Sequence, residues 1–321
     1  MDSEYIQNLR YKLQKRFRRI NSSDYKFIHN NLKQFWGFLN ENPIIFGILE
    51  HLEKRCPEMK SNAEKIINNE ALLFDEEIEN VGTAYFILKM SVQSDDDHME
   101  VKIGRIYSKA TNYNEMLEPY KEIFLEPLYE YIDEHLDDQG ALLALLKKYK
   151  HKCEWFQREH LFNQWEEDTQ RGEKHLALHL YEYLHDQGLN FYIEPASISG
   201  EVDLISAQIG NERLVADVKI YNPDKSKGKP YLIAGFNQIY TYTWDYNEPF
   251  GYLIIFNTAL ENIQFALAEK SQSVPFLTHN NKTIFLLVID IFPYEKSASK
   301  RGPLKSVQIT EQELIKIIQE S

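Results

Sequence analysis

The sequence predicts an α/β protein, with a mostly helical N-terminal half and a C-terminal half in which helices flank a mixed β-sheet. Up to about residue 75, apolar residues recur at three- and four-residue spacing, as in Phe35, Phe38 and Leu39, which is typical of amphipathic helices. After Arg171-Gly172, short apolar runs separated by turn residues replace this pattern and indicate strands. We therefore predict two domains, residues 1–168 and 169–321.

The N-terminal half contains one segment that fits two structures. Between Ala84 and Ser108, two runs rich in Tyr, Phe, Ile and Val flank the polar segment Gln93–Asp97. This arrangement favours a β-hairpin, and two helices are the alternative. From Tyr113 to Trp165 the pattern is helical again, with a break predicted at Asp137–Gly140. No motif chooses among sensing, partner binding and oligomerisation as the task of this domain.

The C-terminal half begins with a helix from Glu173 to about Asp186, which ends before Gly188. Two strands, Val202–Ile209 and Arg213–Ile220, are predicted to form a hairpin, because Gly210-Asn211 suits a tight turn. The other predicted elements are a strand at Leu189–Glu194, a helix around Ala234–Trp244, and buried strands at Tyr252–Phe256 and Thr283–Ile291.

The net charge argues against a protein that coats nucleic acid by bulk electrostatics. The 321 residues carry a formal charge of −13, whereas affinity for phosphate comes mainly from clustered Lys and Arg. Local contact stays open, because three basic stretches interrupt the acidic chain. Solvated surface is the default reading of each stretch, and nucleic-acid contact is the alternative. They are Arg10, Lys12, Lys15, Arg16, Arg18 and Arg19; Lys225, Lys227 and Lys229; and Lys296, Lys300, Arg301 and Lys305.

The sequence predicts a soluble, cytoplasmic protein without a membrane segment. The longest apolar runs, such as Phe285–Ile291, are far shorter than the roughly 20 residues of a membrane-spanning helix. The first residues, Met1–Glu4, lack the basic-then-apolar pattern of a secretory signal. Cys56 and Cys153 are too few for a disulfide framework, so both thiols are expected to be reduced.

Three charged residues on the predicted hairpin are candidates for catalysis. Asp217 and Lys219 are two apart and therefore share one face of their strand. Asp203 lies near the far end of the preceding strand, where opposed or diagonal side chains approach within roughly 5 to 8 Å. Two carboxylates this close favour a shared cation, and oxygen ligands suit Mg²⁺ or Mn²⁺. Lys219 would otherwise be their ion-pair partner.

The two strands resemble the core of the PD-(D/E)XK nuclease superfamily. The matching residues are Gly200-Glu201-Val202-Asp203 and, after a turn, Ala216-Asp217-Val218-Lys219. The preceding helix, with Glu173 near its start, resembles the first core helix of that family. The later helix contains Gln238 and Tyr242, similar to the Gln-x-x-x-Tyr signature of the RecB-like exonuclease branch. The resemblance covers about residues 170–295. It departs from the family in having Val202 where proline is usual, and Asp217 where glutamate is commoner.

The resemblance implies a restriction-endonuclease-like sheet and metal-dependent hydrolysis of phosphodiester bonds in DNA, with RNA still open. It implies that Asp203, Asp217 and the carbonyl of Val218 bind Mg²⁺ or Mn²⁺, and that Glu173 is a further direct or water-mediated ligand. Lys219 would be the catalytic lysine, and Gln238 and Tyr242 would line the site or the nucleic-acid path. Such nucleases often serve defence against foreign DNA, which we take as the expected role.

Several residues keep a second interpretation. Glu173 also suits a helix N-terminus by its charge, and Glu201 rivals it as the third carboxylate. Gln238 and Tyr242 also suit a surface pair, since residues four apart are helical neighbours. Histidines His175 and His179, with His185 nearby, have zinc-ligand spacing, although exposed helix histidines are the default. Tyr221 and Trp244 suit base stacking or, more commonly, burial.

For the protein as a whole, two rival readings remain. One is a catalytically silent, nuclease-like scaffold or binding module within a larger assembly, in which the helical half makes the contacts with a protein partner or a second copy. The other is an unrelated α/β domain whose acidic residues only form surface pairs. A structure with Asp203 and Lys219 on opposite sheet faces would establish the second reading.

Overall fold

A computed structural model describes residues 3–192, 205–209, 212–267, 274–294 and 302–320. Its contacts divide the chain into two compact units, residues 4–140 and, together with the first three residues, 141–321. The division falls inside one long helix and earlier than the predicted boundary at 168/169. The first unit is helical and the second contains a mixed sheet, so the predicted α/β class with a helical N-terminal region is confirmed.

The first unit is built from helices of eight or more residues joined by short connections. In chain order they are α1 (Ser3–Asn21), α2 (Ile28–Glu41), α3 (Pro43–Arg55), α4 (Met59–Ile67), α5 (Glu77–Gln93), α6 (Met99–Tyr107), α7 (Tyr113–Tyr120), a π-helical turn (Lys121–Leu125) and the first part of α8 (Glu126–Phe156).

Helix α5 is the central helix of this unit, since every residue from Val81 to Leu88 is buried. The hairpin favoured for Ala84–Ser108 is therefore wrong, because the segment forms α5 and α6 with Gln93–Asp97 near the connection. A helix that is apolar on all sides has no 3.6-residue periodicity to separate it from a buried strand. Its aromatic and β-branched residues then favoured the wrong choice.

Helix α8 runs unbroken through Asp137–Gly140, so the predicted helix break is wrong. Both Gln139 and Gly140 are buried, and packing offsets the roughly 1 kcal/mol by which glycine disfavours a helix. Helix α1 packs on the same helix. The ring of Phe17 stacks on that of Tyr129 with centroids 3.9 Å apart.

The second unit contains the last part of α8, three further helices before the C-terminal one, and eight strands within the described residues. They are α9 (Arg158–Glu167), α10 (Gly172–Asp186), β1 (Asn190–Tyr192), β2 (Ile205–Ile209), β3 (Glu212–Tyr221), α11 (Lys229–Asp245), β4 (Phe250–Asn257), β5 (Glu261–Ala266), β6 (Phe276–His279), β7 (Lys282–Asp290), β8 (Lys305–Thr310) and α12 (Glu311–Glu320).

The main sheet has six described strands in the order β1-β2-β3-β4-β7-β6. Strands β1, β2 and β3 are antiparallel, and β2 pairs with β3 so that Ile209 lies opposite Glu212, which agrees with the predicted tight hairpin. The turn itself, Gly210-Asn211, lies outside the described residues. Strands β3, β4 and β7 are parallel, and all eight residues of β4 are buried. Parallel strands covered on both faces are usually this apolar.

Helices cover both faces of β3. Helix α11 connects β3 to the parallel strand β4, and a Cβ added at its Gly235 would meet the side chain of Lys219. Helix α10 lies on the other side, where a Cβ at Gly172 would stand 3.3 Å from Ile220 Cδ1. Consecutive strand residues point to opposite faces, so Asp217 and Lys219 belong to the α11 face.

A second, two-stranded sheet of parallel β5 and β8 and the helix α12 were not predicted. Helix α12 starts with a capping box. The N–H of Glu313 donates to Thr310 Oγ1 and the N–H of Thr310 donates to Glu313 Oε2, at 3.3 and 2.9 Å. Within the described residues, none of the helices has both the length and the apolar composition needed to span a bilayer.

Candidate active site

The centre of the site is an ion pair on strand β3. Lys219 Nζ lies 3.0 Å from Asp217 Oδ2, and the two residues are only 6% and 2% exposed. The shared face follows from strand alternation, as predicted. A buried ion pair is costly to desolvate and strongly coupled, since removing one partner leaves a charge in a poor solvent. The fold therefore places a lysine and a carboxylate side by side at a site with little water.

Helix α11 leaves room for this lysine. A Cβ built on Gly235 would stand 2.9 Å from Lys219 Cγ and 3.0 Å from Cε, closer than side chains normally pack. The aliphatic chain of Lys219 thus lies directly on the backbone of α11, with little freedom to change rotamer. The predicted helix contained this glycine, but nothing in the sequence indicated which strand residue it would face.

Glu173, in the first turn of α10, reaches the edge of β3. Its Oε1 accepts from the backbone N–H of Ile220 at 3.0 Å and from Lys227 Nζ at 2.9 Å. The hydroxyl of Tyr231 donates to the same carboxylate, 2.6 Å from Oε1 and 2.8 Å from Oε2. Glu173 therefore joins α10, β3, the loop after β3 and α11 around one half-buried carboxylate.

Tyr231 connects the two charge clusters. Its ring centroid lies 5.8 Å from Lys219 Nζ and 5.3 Å from Lys227 Nζ, within the range of cation–π attraction. Glu173 and Lys219 are thus two neighbours of one tyrosine. Sequence reasoning missed the roles of Tyr231 and Lys227. The signal for Lys227 was the basic stretch after β3, whereas Tyr231 carried none.

The loop after β3 is held by Asn222. The backbone N–H of Asn222 donates to Lys227 O at 2.8 Å, and the N–H of Lys227 donates back to Asn222 O at 3.0 Å. The amide of Asn222 also donates to Thr258 Oγ1 at 3.0 Å and anchors the loop to the end of β4. Lys227 is therefore a positioned side chain, while Lys225 is exposed.

Gln238 and Tyr242 form a hydrogen-bonded pair on α11. The amide Nε2 of Gln238 donates to the hydroxyl of Tyr242 at 2.8 Å, and both side chains are half-buried. Gln238 lies three residues after Gly235, so it follows along the same side of the helix as the glycine that faces Lys219. Their predicted role in lining the site stays a prediction.

Asp203 and its rival Glu201 lie outside the described residues, and so does Val202. Described pairing between β2 and β3 ends where Ile205 lies opposite Ala216. On that side of β3, the Ile220 N–H is bonded by Glu173 instead of by a strand. The roles predicted for Asp203 and Glu201 therefore stay predictions.

A divalent cation can be tested only in part against the described residues. Asp217 and Glu173 offer carboxylate oxygens, which are hard donors of the kind that Mg²⁺ and Mn²⁺ take. Among described side chains, no three His, Cys, Asp or Glu residues group closely enough to hold a metal. The chemistry of the donors fits, and the remaining ligands would have to come from the segment around residues 201–203.

The remaining candidates have other neighbours. His179 Nδ1 lies 2.8 Å from the hydroxyl of buried Tyr149, and burial of the imidazole lowers the pKa of His179. Tyr221 is buried and its hydroxyl donates to Glu261, as the commoner interpretation predicted. Trp244 is exposed, so the commoner interpretation, burial, is wrong for this residue, and Lys282 Nζ lies 4.9 Å from its ring centroid.

Comparison of this chain with protein-family models, curated proteins and solved structures gave no match. The function must therefore be argued from the site itself.

Proposed function

We propose that the C-terminal unit is a metal-dependent nuclease that hydrolyses phosphodiester bonds in DNA. The observation that carries this proposal is the buried Asp217–Lys219 pair, 3.0 Å apart on one strand face. A lysine held beside a carboxylate suits phosphoryl chemistry, because it offsets the negative charge that develops on the phosphate oxygens. The resemblance of the β2–β3 hairpin to the PD-(D/E)XK core supports the same reading.

In this reaction a water oxygen forms a bond to phosphorus as the bond to the leaving oxygen breaks. The water loses a proton to solvent, and the leaving oxygen takes one up. Asp217, the Val218 carbonyl and Asp203 would hold Mg²⁺ or Mn²⁺, which activates water and neutralises phosphate charge when bound. Lys219 orients the water and stabilises the transition state, in the position that Gly235 and Asp217 impose on it. Gln238 and Tyr242 line the nucleic-acid path.

The proposal sets a condition on the chain before β2. Ile205 lies opposite Ala216, so a regular continuation of β2 would set residue 203 opposite Val218, on the face away from Asp217. For Asp203 to join Asp217, the chain before Ile205 must depart from that regular register, and a β-bulge of one extra residue is one way to do so. Bulges are common next to active sites, where they redirect a side chain. A crystal structure with Mn²⁺ that shows Asp203 and Lys219 on opposite faces would exclude the proposed ligand set.

The test is a cleavage assay on linear, circular and single-stranded DNA and on RNA, with Mg²⁺, Mn²⁺ or EDTA. Wild type is compared with Asp217→Ala and Lys219→Ala, and with Lys65→Ala, an exposed lysine of the other unit, as a control. We expect metal-dependent cutting that falls about 100-fold or more in both site variants, as when a group that stabilises the transition state is removed, and not in the control. Equal cutting by all four proteins would refute the assignment.

One feature favours a second candidate, a catalytically silent scaffold. Asp217 pairs with Lys219, and Glu173 accepts from Ile220, Lys227 and Tyr231, so each carboxylate has a cationic neighbour from the protein itself. A polar network of this kind would also fix the packing of α10 and α11 on β3. Absence of cutting by wild type on every substrate, with folding intact, would select this candidate.

We further propose a cytoplasmic location and a role in defence against foreign DNA. The location rests on the reduced state expected of Cys56 and Cys153, both of which are free and buried. The role rests on the frequent use of such nucleases in defence. A phage challenge in which wild type and Lys219→Ala protect cells equally would contradict it.

A further inference from the structure

The outer surface of the first two helices is basic in an otherwise acidic protein. Residues 3–41, which span the two helices, contain eight Lys and Arg residues and three acidic residues, whereas the whole chain carries a net charge of −13. The acidic residues are Glu4, Asp24 and Glu41. Helices α1 and α2 lie side by side, as two contacts show. The guanidinium of Arg19 donates to Gln34 Oε1 at 2.9 Å, and Arg16 Cζ lies 4.0 Å from the ring centroid of Phe38. Positive charge therefore outweighs negative charge on this helical hairpin.

The basic residues of α1 point away from the core. At about 100° per residue, Lys15 and Arg18 fall opposite the apolar face, and Lys12 and Arg19 fall on one flank of it. Arg16 lies closer to the apolar face. The apolar face is buried in the unit and consists of Ile6, Leu9, Leu13, Phe17 and Ile20. The basic face consists of Lys12, Lys15, Arg16, Arg18 and Arg19, of which Arg16 is half-buried and the others are exposed.

These cations are available to an outside anion. Arg10 differs from them. It forms ion pairs with Asp133, at 2.8 Å, and with Asp137, both on α8, and these pairs join the two helices. In the described contacts, the basic face meets neutral partners. Lys15 lies 4.9 Å from the ring centroid of exposed Tyr11, and Arg19 bonds the Gln34 amide. Neutralising them therefore breaks no ion pair with a described carboxylate.

Helix α2 extends the same surface, and its one acidic residue is exposed Glu41 at the C-terminal end. Its exposed residues before Glu41 are neutral or basic and comprise Asn30, Lys33, Gln34 and Asn40. A phosphate chain that lies along α1 would meet amides and a further lysine on this flank. Amides donate hydrogen bonds to phosphate oxygens, as lysine and arginine do.

We propose that this basic hairpin surface, the exposed side of α1 with the adjoining side of α2, binds the phosphate backbone of nucleic acid without sequence preference. A regularly charged polyanion fits a row of cations about one helical turn apart, since lysine and arginine supply such affinity. A membrane fits poorly, because surface helices bind bilayers by inserting an apolar face, and that of α1 is already buried. The surface belongs to the helical unit, and its binding does not depend on the chemistry proposed for the other unit.

The test measures binding of the full chain to labelled duplex and single-stranded DNA of two unrelated sequences. It uses EDTA, so that cleavage plays no part, and fluorescence anisotropy over a series of salt concentrations. The variant is Lys12→Gln/Lys15→Gln. The control is Lys60→Gln/Lys65→Gln, which removes the same charge from exposed positions of α4 in the same unit.

Wild type is expected to bind both sequences alike, with affinity that falls as salt rises. In the Lys12→Gln/Lys15→Gln variant, the slope of log affinity against log salt should be smaller by about 2, close to one unit for each lost phosphate contact. The control should keep the wild-type slope. Equal urea midpoints for wild type, the double variant and the control exclude unfolding as the cause. Lys12→Gln alone and Lys15→Gln alone should each lower the slope by about half as much as the double variant.

The proposal is overturned if Lys12→Gln/Lys15→Gln binds like wild type or if the control weakens binding equally. It is also overturned if phosphatidylserine vesicles retain the protein while neither DNA form binds. If wild type binds DNA in EDTA as expected but cuts no DNA when Mg²⁺ or Mn²⁺ is present, the proposed binding surface is supported. Only the nuclease assignment is then contradicted.

Discussion

Gly235 of α11 lies against Lys219 of β3 so closely that an added Cβ would stand 2.9 Å from Lys219 Cγ. The side chain of Lys219 packs on the backbone of α11, and its Nζ lies 3.0 Å from Oδ2 of its partner Asp217. The absence of a side chain at one helix position sets the place of the charged group on which the proposed chemistry depends.

Gly235→Ala should displace Lys219 and reduce cleavage at least about tenfold, since small misplacements in an active site carry large rate penalties. The free energy of unfolding of Gly235→Ala should not show the increase of roughly 1 kcal/mol that replacing glycine with alanine normally gives in a helix. Gly37→Ala in α2 is the matched control, because its Cβ would meet nothing within 4 Å, and it should stabilise the protein. Urea unfolding and the cleavage assay measure both effects. Equal stabilisation with full activity in Gly235→Ala would show that the contact is unimportant.

The buried ion pair should be strongly coupled in stability. Lys219→Met leaves the Asp217 charge without its lysine and should lower the free energy of unfolding by about 3 to 5 kcal/mol. Adding Asp217→Asn should recover part of that loss, because the buried charge is then gone. Urea unfolding of both single variants and the double variant gives the coupling energy. If the decreases in the free energy of unfolding of the two single variants simply add in the double variant, the 3.0 Å pair contributes no net interaction.

Glu173 should act as an anchor of the fold even if it also contacts a metal. Tyr231→Phe removes a hydrogen bond to a charged group and should lower the free energy of unfolding by about 1.5 to 3 kcal/mol. Glu173→Gln should destabilise similarly while changing Mg²⁺ affinity only a few-fold, whereas Asp217→Asn should abolish Mg²⁺ binding. Calorimetric titration with Mg²⁺ measures the affinities. Equal loss of Mg²⁺ binding in both carboxylate variants would make Glu173 a direct metal ligand, which is one of the two roles, direct or water-mediated, that the family resemblance implies.

The second unit should lose stability on mild acidification through His179. Burial lowers the pKa of His179, with Lys152 lowering it further, while the unfolded chain keeps a pKa of about 6.5. Unfolding then takes up a proton, so this contribution is present above about pH 6.5 and is lost as pH falls below it. In His179→Gln the free energy of unfolding should depend less on pH between about 7 and 5. Parallel pH profiles for the two proteins would argue against a role for this histidine.

Local patterns in the sequence were enough for much of the second unit. The helix at Glu173 and strands β3, β4 and β7 all appear within two residues of their predicted bounds, and α11 begins five residues earlier than predicted. The strand predicted at Val202–Ile209 is described only from Ile205. In the first unit the same method failed at α5, where burial on all sides removes the periodicity that reveals a helix. It also failed at Gly140, where packing overrides the low helix propensity of glycine.

The sequence by itself determined that Asp217 and Lys219 share a strand face, because alternation depends only on neighbouring residues. It also identified the basic stretch Arg10–Arg19, in which Lys12, Lys15, Arg18 and Arg19 are exposed. Only the tertiary structure decided that Glu173 meets Ile220, Lys227 and Tyr231, which lie 47, 54 and 58 residues away. The same holds for Gly235 against Lys219. Contacts between distant elements depend on how whole helices pack on the sheet, and no local pattern encodes that packing.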